Sequence, residues 1–242
     1  MTNPNLLVGQ RACARPNRAR KRAAYIGLFA LALARAAASD VSFKITDAKN
    51  SPVADAVVSL VPLDAPPALS LSNGAKISPP AAPLEISQSS QEFSAYVTPL
   101  VVGTTVVFPN RDNVAHQVYS LSPAKKITFP LYKPGNEGTV VFDQPGVVVL
   151  GCNIHDWMSA YVVVLATPLF AKSASDGAAT IGGVAPGRYR AEVWHPRLAK
   201  IETRELTIAD NASPPNALTF ALTLKADRRI RRAPDATGGG YK

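Results

Sequence analysis

The chain has 242 residues and a formal net charge of +9, a balance that on its own favours a nucleic-acid or membrane-surface partner. The charge is unevenly placed, because the first 38 residues hold seven basic residues and no acidic one. The rest carries 19 basic and 17 acidic residues, without a nucleic-acid motif or interleaved aromatic and basic side chains. These features argue against a nucleic-acid-binding protein.

Residues 1–38 have the three parts of a signal peptide. The basic stretch "RPNRARKR" precedes twelve mostly apolar residues, "AAYIGLFALALA", and "AAA" supplies small residues before a cut at Ser39. The apolar run is short for a bilayer span, although an uncleaved anchor is the alternative. We therefore expect export to the periplasm and no stable membrane span after cleavage. Cleavage would also remove Cys13, leaving Cys152 as the one cysteine.

Beyond the signal peptide the sequence predicts an all-β fold. Short β-branched runs recur between Gly, Pro, Asn and Asp, and no segment has a helical period of useful length. In chain order the runs are "VSFKI", "AVVSLV", "TTVVF", "HQVYSL", "KITFPLY", "TVVF", "GVVVLGC", "AYVVVLA", "YRAEVW" and "ALTFALTL". The last alternates between apolar and small or polar residues, which indicates a sheet with one buried face.

Two segments interrupt this pattern. Residues 64–83 contain five prolines and no strand-like run, which predicts a linker. Residues 226–242, "ADRRIRRAPDATGGGYK", predict a flexible basic tail. Between the two lie the strands on either side of Cys152 and then turns at Asp176-Gly177 and Pro186-Gly187.

The segments before and after the central strands resemble a known type of β-sandwich. "PVADAVVSL" near the start and "APGRYRAEVW" near the end resemble the two halves of a carboxypeptidase-regulatory, or transthyretin-like, β-sandwich. The resemblance implies that residues 41–63 and 167–225 form one sandwich and that residues 84–166 are a domain inserted in one of its loops. The alternative is that the first two strands decorate the central domain and a separate sandwich follows it.

The stretch "GCNIHDWM", residues 151–158, concentrates rare residues. Cys152, His155 and Met158 are spaced C-x2-H-x2-M, and they lie in a predicted loop between two buried strands. The remaining histidines, His116 and His195, are the candidates for a fourth ligand. A thiolate, two imidazoles and a thioether form the ligand set of blue-copper electron-transfer sites, whereas structural zinc rarely uses methionine. The pattern therefore predicts one copper ion.

The same residues resemble the cupredoxins, and most closely the amicyanin-like blue copper proteins. The shared features are the C-x2-H-x2-M loop and the strand end "VVFPNRDNVAHQV", in which an Asn lies six residues before a His. The resemblance implies a Greek-key sandwich over 84–166 and a type-1 copper held by His116, Cys152 and His155, with Met158 axial. It also implies that Asn110 ties the His116 loop to the Cys152 loop.

The longer string from Phe108 to Pro168 resembles a periplasmic family often labelled methylamine utilization protein. The implied function is single-electron transfer, without enzymatic turnover, between periplasmic redox proteins such as a dehydrogenase and a c-type cytochrome. Copper carriage or storage, or a β-sandwich binding module, is the alternative. His195 is assigned a packing role beside Trp194, and too few histidines remain for a second copper centre.

Overall fold

The computed structural model describes residues 38–64, 79–209 and 217–227, which form strands and no helix, so the all-β prediction is confirmed. Within these residues, therefore, no helix is available to cross a membrane. The signal peptide, most of the linker and most of the basic tail lie outside the described residues.

Seventeen strands are present in the described part of the chain. The first nine are β1 (Ser39–Asp47), β2 (Val57–Pro62), β3 (Leu84–Glu85), β4 (Gln88–Ser89), β5 (Glu92–Phe93), β6 (Val97–Val101), β7 (Thr104–Pro109), β8 (Tyr119–Ser122) and β9 (Lys125–Thr128). The remaining eight are β10 (Glu137–Phe142), β11 (Gly146–Gly151), β12 (Ser159–Leu165), β13 (Phe170–Lys172), β14 (Ala178–Val184), β15 (Gly187–Trp194), β16 (Glu202–Ile208) and β17 (Leu218–Leu222).

The strands at the two ends of the described chain form two sheets with a common core. One sheet has the order β14-β1-β17, with β17 parallel to β1, and the other has the order β13-β2-β15-β16. Buried side chains alternate along β1, where Val41, Phe43 and Ile45 face the core, whereas the first four residues of β2 are all buried. Gly177 has a φ of +78° at the Asp176-Gly177 turn, and a Cβ there would lie 2.3 Å from the Ile45 carbonyl oxygen.

The central strands enclose a second core. A three-stranded sheet, β10-β7-β3, faces a five-stranded sheet, β6-β12-β11-β8-β9. The alternation of β11 aims Val148 and Leu150 into this core and Val149 outwards. Cys152 and Met158 belong to the same core, at the end of the sandwich where β11 stops and β12 starts.

A small third cluster joins the two groups of sheets. Val57 of β2 packs against Val97 of β6 and Val163 of β12, and all three are buried. Lys172 of β13 donates to the Val97 carbonyl at 2.9 Å. Burial of a valine side chain stabilises by about 1.5–3 kcal/mol, so the outer face of the five-stranded sheet is firmly covered at this position. The assignment of these groups to two domains, one inserted in the other, stays a prediction.

Candidate metal centre

Three donor residues are brought together by the ends of two neighbouring strands. Cys152 follows β11 directly, and His155 lies in the short loop that leads into β12. The Met158 amide donates to the His155 carbonyl at 2.9 Å, which closes this loop as a tight turn. His116 lies just before β8, and its backbone exchanges hydrogen bonds of 2.9 and 3.0 Å with Tyr132.

The ligand atoms of His116, Cys152 and His155 all lie within 4.8 Å of one another. The Cys152 Sγ is 3.9 Å from the His116 Nδ1 and 3.8 Å from the His155 Nδ1, and the two nitrogens are 3.1 Å apart. A point equidistant from these atoms lies about 2.1 Å from each, which is close to the bond lengths of imidazole nitrogen and thiolate sulfur to a first-row metal. The cluster therefore fits a copper site.

Burial differs between the donors. His116 is fully buried and Cys152 is 3% exposed, whereas His155 is partly exposed. Burial, together with the nearby His116, lowers the pKa of His155, so its imidazole is neutral and able to bind a metal at neutral pH. Of the three donors, His155 is therefore the most accessible to solvent.

Asp112 fixes the tautomer of His116. Its Oδ2 lies 3.0 Å from the His116 Nε2, and because a carboxylate only accepts, the Nε2 carries the proton and the Nδ1 keeps a free lone pair. Burial alone would raise the pKa of Asp112, but hydrogen bonds from Gln91, His116 and Asn113 outweigh it and lower that pKa. Asp112 was not predicted from the sequence, although its position four residues before His116 was a usable signal.

Asn110 is 2% exposed and holds the segment before His116. Its side-chain amide donates to the carbonyls of Val114 at 2.9 Å and Tyr132 at 3.2 Å, and its Oδ1 accepts from the Asp112 amide at 3.0 Å. These bonds order the approach to His116 and reach the strand connection at Tyr132. The expected tie between Asn110 and the Cys152 loop stays a prediction.

A different pair links the His116 segment to the Cys152 loop. The Asn153 side-chain amide donates to the Gln117 Oε1 at 2.8 Å, and the Gln117 amide donates to the Phe129 carbonyl at 2.8 Å. The hydrogen bond between Gln117 and Asn153 could not be predicted from the sequence, because the two residues are distant along the chain.

The structure also places Met158, a predicted ligand, and His195, which was assigned a packing role. Met158 is 2% exposed and packs in the same core as Cys152, and both residues line an open groove of about 580 Å³ on the outer face of β8 and β11. His195 lies at the end of β15, where its Nδ1 accepts from the Arg197 amide at 3.1 Å. His195 therefore stays apart from the three-donor cluster, within the described residues.

No protein-family model matches the chain, and neither does any curated protein. Among solved structures it is similar to a purple cupredoxin from Nitrosopumilus maritimus, with 26% identity over 34% of this chain and 99% of that one, at a TM-score of 0.31. It is also similar to a reduced Cu(I) form of an amicyanin mutant, with 20% identity over 36% and 85% of the two chains, at 0.33. A copper-containing nitrite reductase from Thermus scotoductus SA-01 has 29% identity over 43% of this chain but only 27% of its own length, at 0.34. Scores this low carry no argument about function, which must come from the cluster itself.

Proposed function

We propose that this protein is a cupredoxin-like electron carrier with one type-1 copper ion. The observation that supports the proposal is the triangle of donor atoms from His116, Cys152 and His155, whose size suits a first-row metal and whose composition suits copper. When bound, copper supplies reversible one-electron exchange between Cu(I) and Cu(II).

The residues contribute position and exclusion of water. Asp112 holds His116 with the Nδ1 lone pair free, and burial in the central core keeps Cys152 dry. Met158, buried in the same core, would supply a weak fourth ligand to the copper. A donor set held by two strand ends and several hydrogen bonds changes little in shape, which favours rapid electron exchange.

The wider organisation is proposed on the sequence pattern and the sheet composition. The sheets formed by strands β1, β2 and β13 to β17 suit a transthyretin-like sandwich that hosts residues 84–166 as an insertion. The signal-like N-terminus supports export to the periplasm, where a dehydrogenase or a c-type cytochrome would be the redox partner. The methylamine utilization label does not by itself name that partner.

Two features bear on alternatives to simple electron transfer. A copper oxidase or reductase needs further copper centres built from several more histidines, and after His116 and His155 the sequence retains only His195. An open groove lined in part by Cys152 and Met158 favours a second candidate, a periplasmic copper carrier, because a groove beside the donor residues offers a route for copper to enter and leave.

Spectroscopy of the purified protein loaded with one equivalent of Cu(II) tests the proposal. We expect an intense blue colour and a narrow copper hyperfine splitting, both lost in Cys152→Ser and both kept in the control His195→Gln. A colourless protein that exchanges Cu(I) readily with a chelator supports the carrier instead. Failure to bind copper at all would refute both.

A further inference from the structure

The two-residue turn between β4 and β5 has an unfavourable backbone conformation. Ser90 and Gln91 have φ values of 54° and 56°, the left-handed region that a primed hairpin turn requires and that Asn-Gly normally supplies. Neither residue is suited to that region by its side chain. Surrounding contacts must therefore hold the turn in place.

The base of the hairpin is fixed to the end of β7. The Gln88 carbonyl accepts from the Arg111 amide at 2.9 Å, and Gln88 forms a parallel bridge with Asn110. The turn itself then lies beside the segment that carries Asp112, since the Gln91 amide donates to the Asp112 Oδ2 at 2.6 Å. That same oxygen holds the His116 Nε2, so the Gln91 amide and His116 share one acceptor.

The main-chain carbonyl of Gln91 lies on the side of the second histidine. The Gln91 carbonyl accepts from the Trp157 Nε1 at 3.0 Å. The Trp157 ring lies 5.3 Å from the His155 ring, centroid to centroid, with the planes inclined by 53°. An indole held by its N–H presents one ring face in a fixed direction, and this limits the orientations open to His155.

We propose that the main chain of Gln91 is a shared positioning element for both histidines. Its amide orients His116 through Asp112, and its carbonyl orients His155 through Trp157. The strained turn thus couples the loop of His116 to the loop of His155, 39 residues further along the chain. It sets the distance between the ring nitrogens of the two histidines before a metal is bound. This inference rests on the proposed function only in naming copper as the metal.

Exchange in the metal-free protein tests the coupling directly. Trp157→Phe keeps an aromatic ring beside His155 and removes the N–H, whereas Asp112→Asn keeps the size of the side chain and removes its charge. We expect Trp157→Phe to speed hydrogen exchange of the Gln91 amide about 10-fold, although Trp157 does not touch that amide. Because coupling between sites is reciprocal, Asp112→Asn should speed exchange of the Trp157 indole N–H by a similar factor. The control Trp194→Phe, in β15, should change neither rate.

A double-mutant cycle on Cu(I) affinity, measured by chelator competition, supplies a second readout. Each single variant should weaken binding about 10-fold, a usual cost for losing support of a ligand. The double variant should weaken it by about 10- to 30-fold, well short of the roughly 100-fold expected for independent sites. Additive losses, or unchanged exchange at the remote proton in either variant, would overturn the proposal. If the wild-type chain binds no copper, the proposed function fails, while the exchange experiment still decides the coupling.

Discussion

Tyr132 supports the strand connection that pairs with His116, and its hydroxyl is the centre of a small buried network. The hydroxyl donates to the Phe108 carbonyl at 3.0 Å and accepts from the Gln88 side-chain amide, and Gln88 is fully buried. The Gln88 Oε1 has no partner among the described residues. Tyr132→Phe would therefore leave the side-chain amide group of Gln88 without a hydrogen-bond partner in the described part of the chain, and it would take one donor from the Phe108 carbonyl.

The expected cost of Tyr132→Phe follows from these contacts. A buried polar group left unpaired costs about 1–3 kcal/mol, so the variant should lose about 2–4 kcal/mol of unfolding free energy. The double variant Tyr132→Phe/Gln88→Met removes both polar partners with little change in volume. It should recover at least half of that loss, since an apolar pair of similar shape leaves nothing unsatisfied.

The assay is urea unfolding of the metal-free protein, in which the midpoint should fall while the slope stays constant. The pH dependence gives a separate signature, because burial raises the pKa of Tyr132 to about 12. The pKa of tyrosine in the unfolded chain is about 10, so the neutral hydroxyl of Tyr132 contributes its full stability below pH 10. This contribution is lost as the pH rises from about 10 through about 12, and the loss in unfolding free energy is at most about 3 kcal/mol. Tyr132→Phe should lack this alkaline loss. A double variant no more stable than the single one would refute the reasoning.

Three further predictions concern other parts of the molecule. The metal-free protein should lose stability as the pH falls below about 6.5, because burial lowers the pKa of His155 and the histidine therefore binds a proton more readily in the unfolded chain than in the folded one. His155→Gln should reduce this loss, measured as the difference between urea titrations at pH 5 and pH 7. Gly138→Ala places a Cβ 2.3 Å from the Phe129 ring and should lower stability by about 1–3 kcal/mol in the same assay, and no loss would show that the ring moves freely. Val97→Ala, at the contact between the two groups of sheets, should cost about 2 kcal/mol by thermal unfolding, and a negligible cost would contradict tight packing there.

Long apolar strands could be predicted from the sequence, whereas short ones could not. The run "GVVVLGC" became β11 and "AYVVVLA" became β12, because several consecutive β-branched residues have few other stable conformations. Strands β3, β4 and β5 have two residues each and only two apolar positions, Leu84 and Phe93, so no periodicity marks them. Strand β16, "ETRELTI", was missed because most of its side chains are polar and exposed at a sheet edge.

The donor residues could be predicted because their types are rare and their spacing is short. His116, the remote donor, was separated from His195 by resemblance alone, and the structure places it within 3.9 Å of the Cys152 sulfur. Most supports of the cluster were not predictable in the same way. Gln91 and Trp157 act through hydrogen bonds between distant segments, and both bonds use the main chain of Gln91, which carries no residue-type signal.

Strand β12 has a consequence for experiments on this protein. It begins directly after Met158, at the end that carries the donor cluster, and finishes at Leu165, five residues before Phe170, where β13 of the other group of sheets begins. Seven residues of extended strand span about 23 Å. A dye or an electrode linkage attached beyond that strand would sit well away from the donor cluster. Surface voltammetry of the protein attached in this way would therefore test the proposed electron transfer with the donor cluster facing solution.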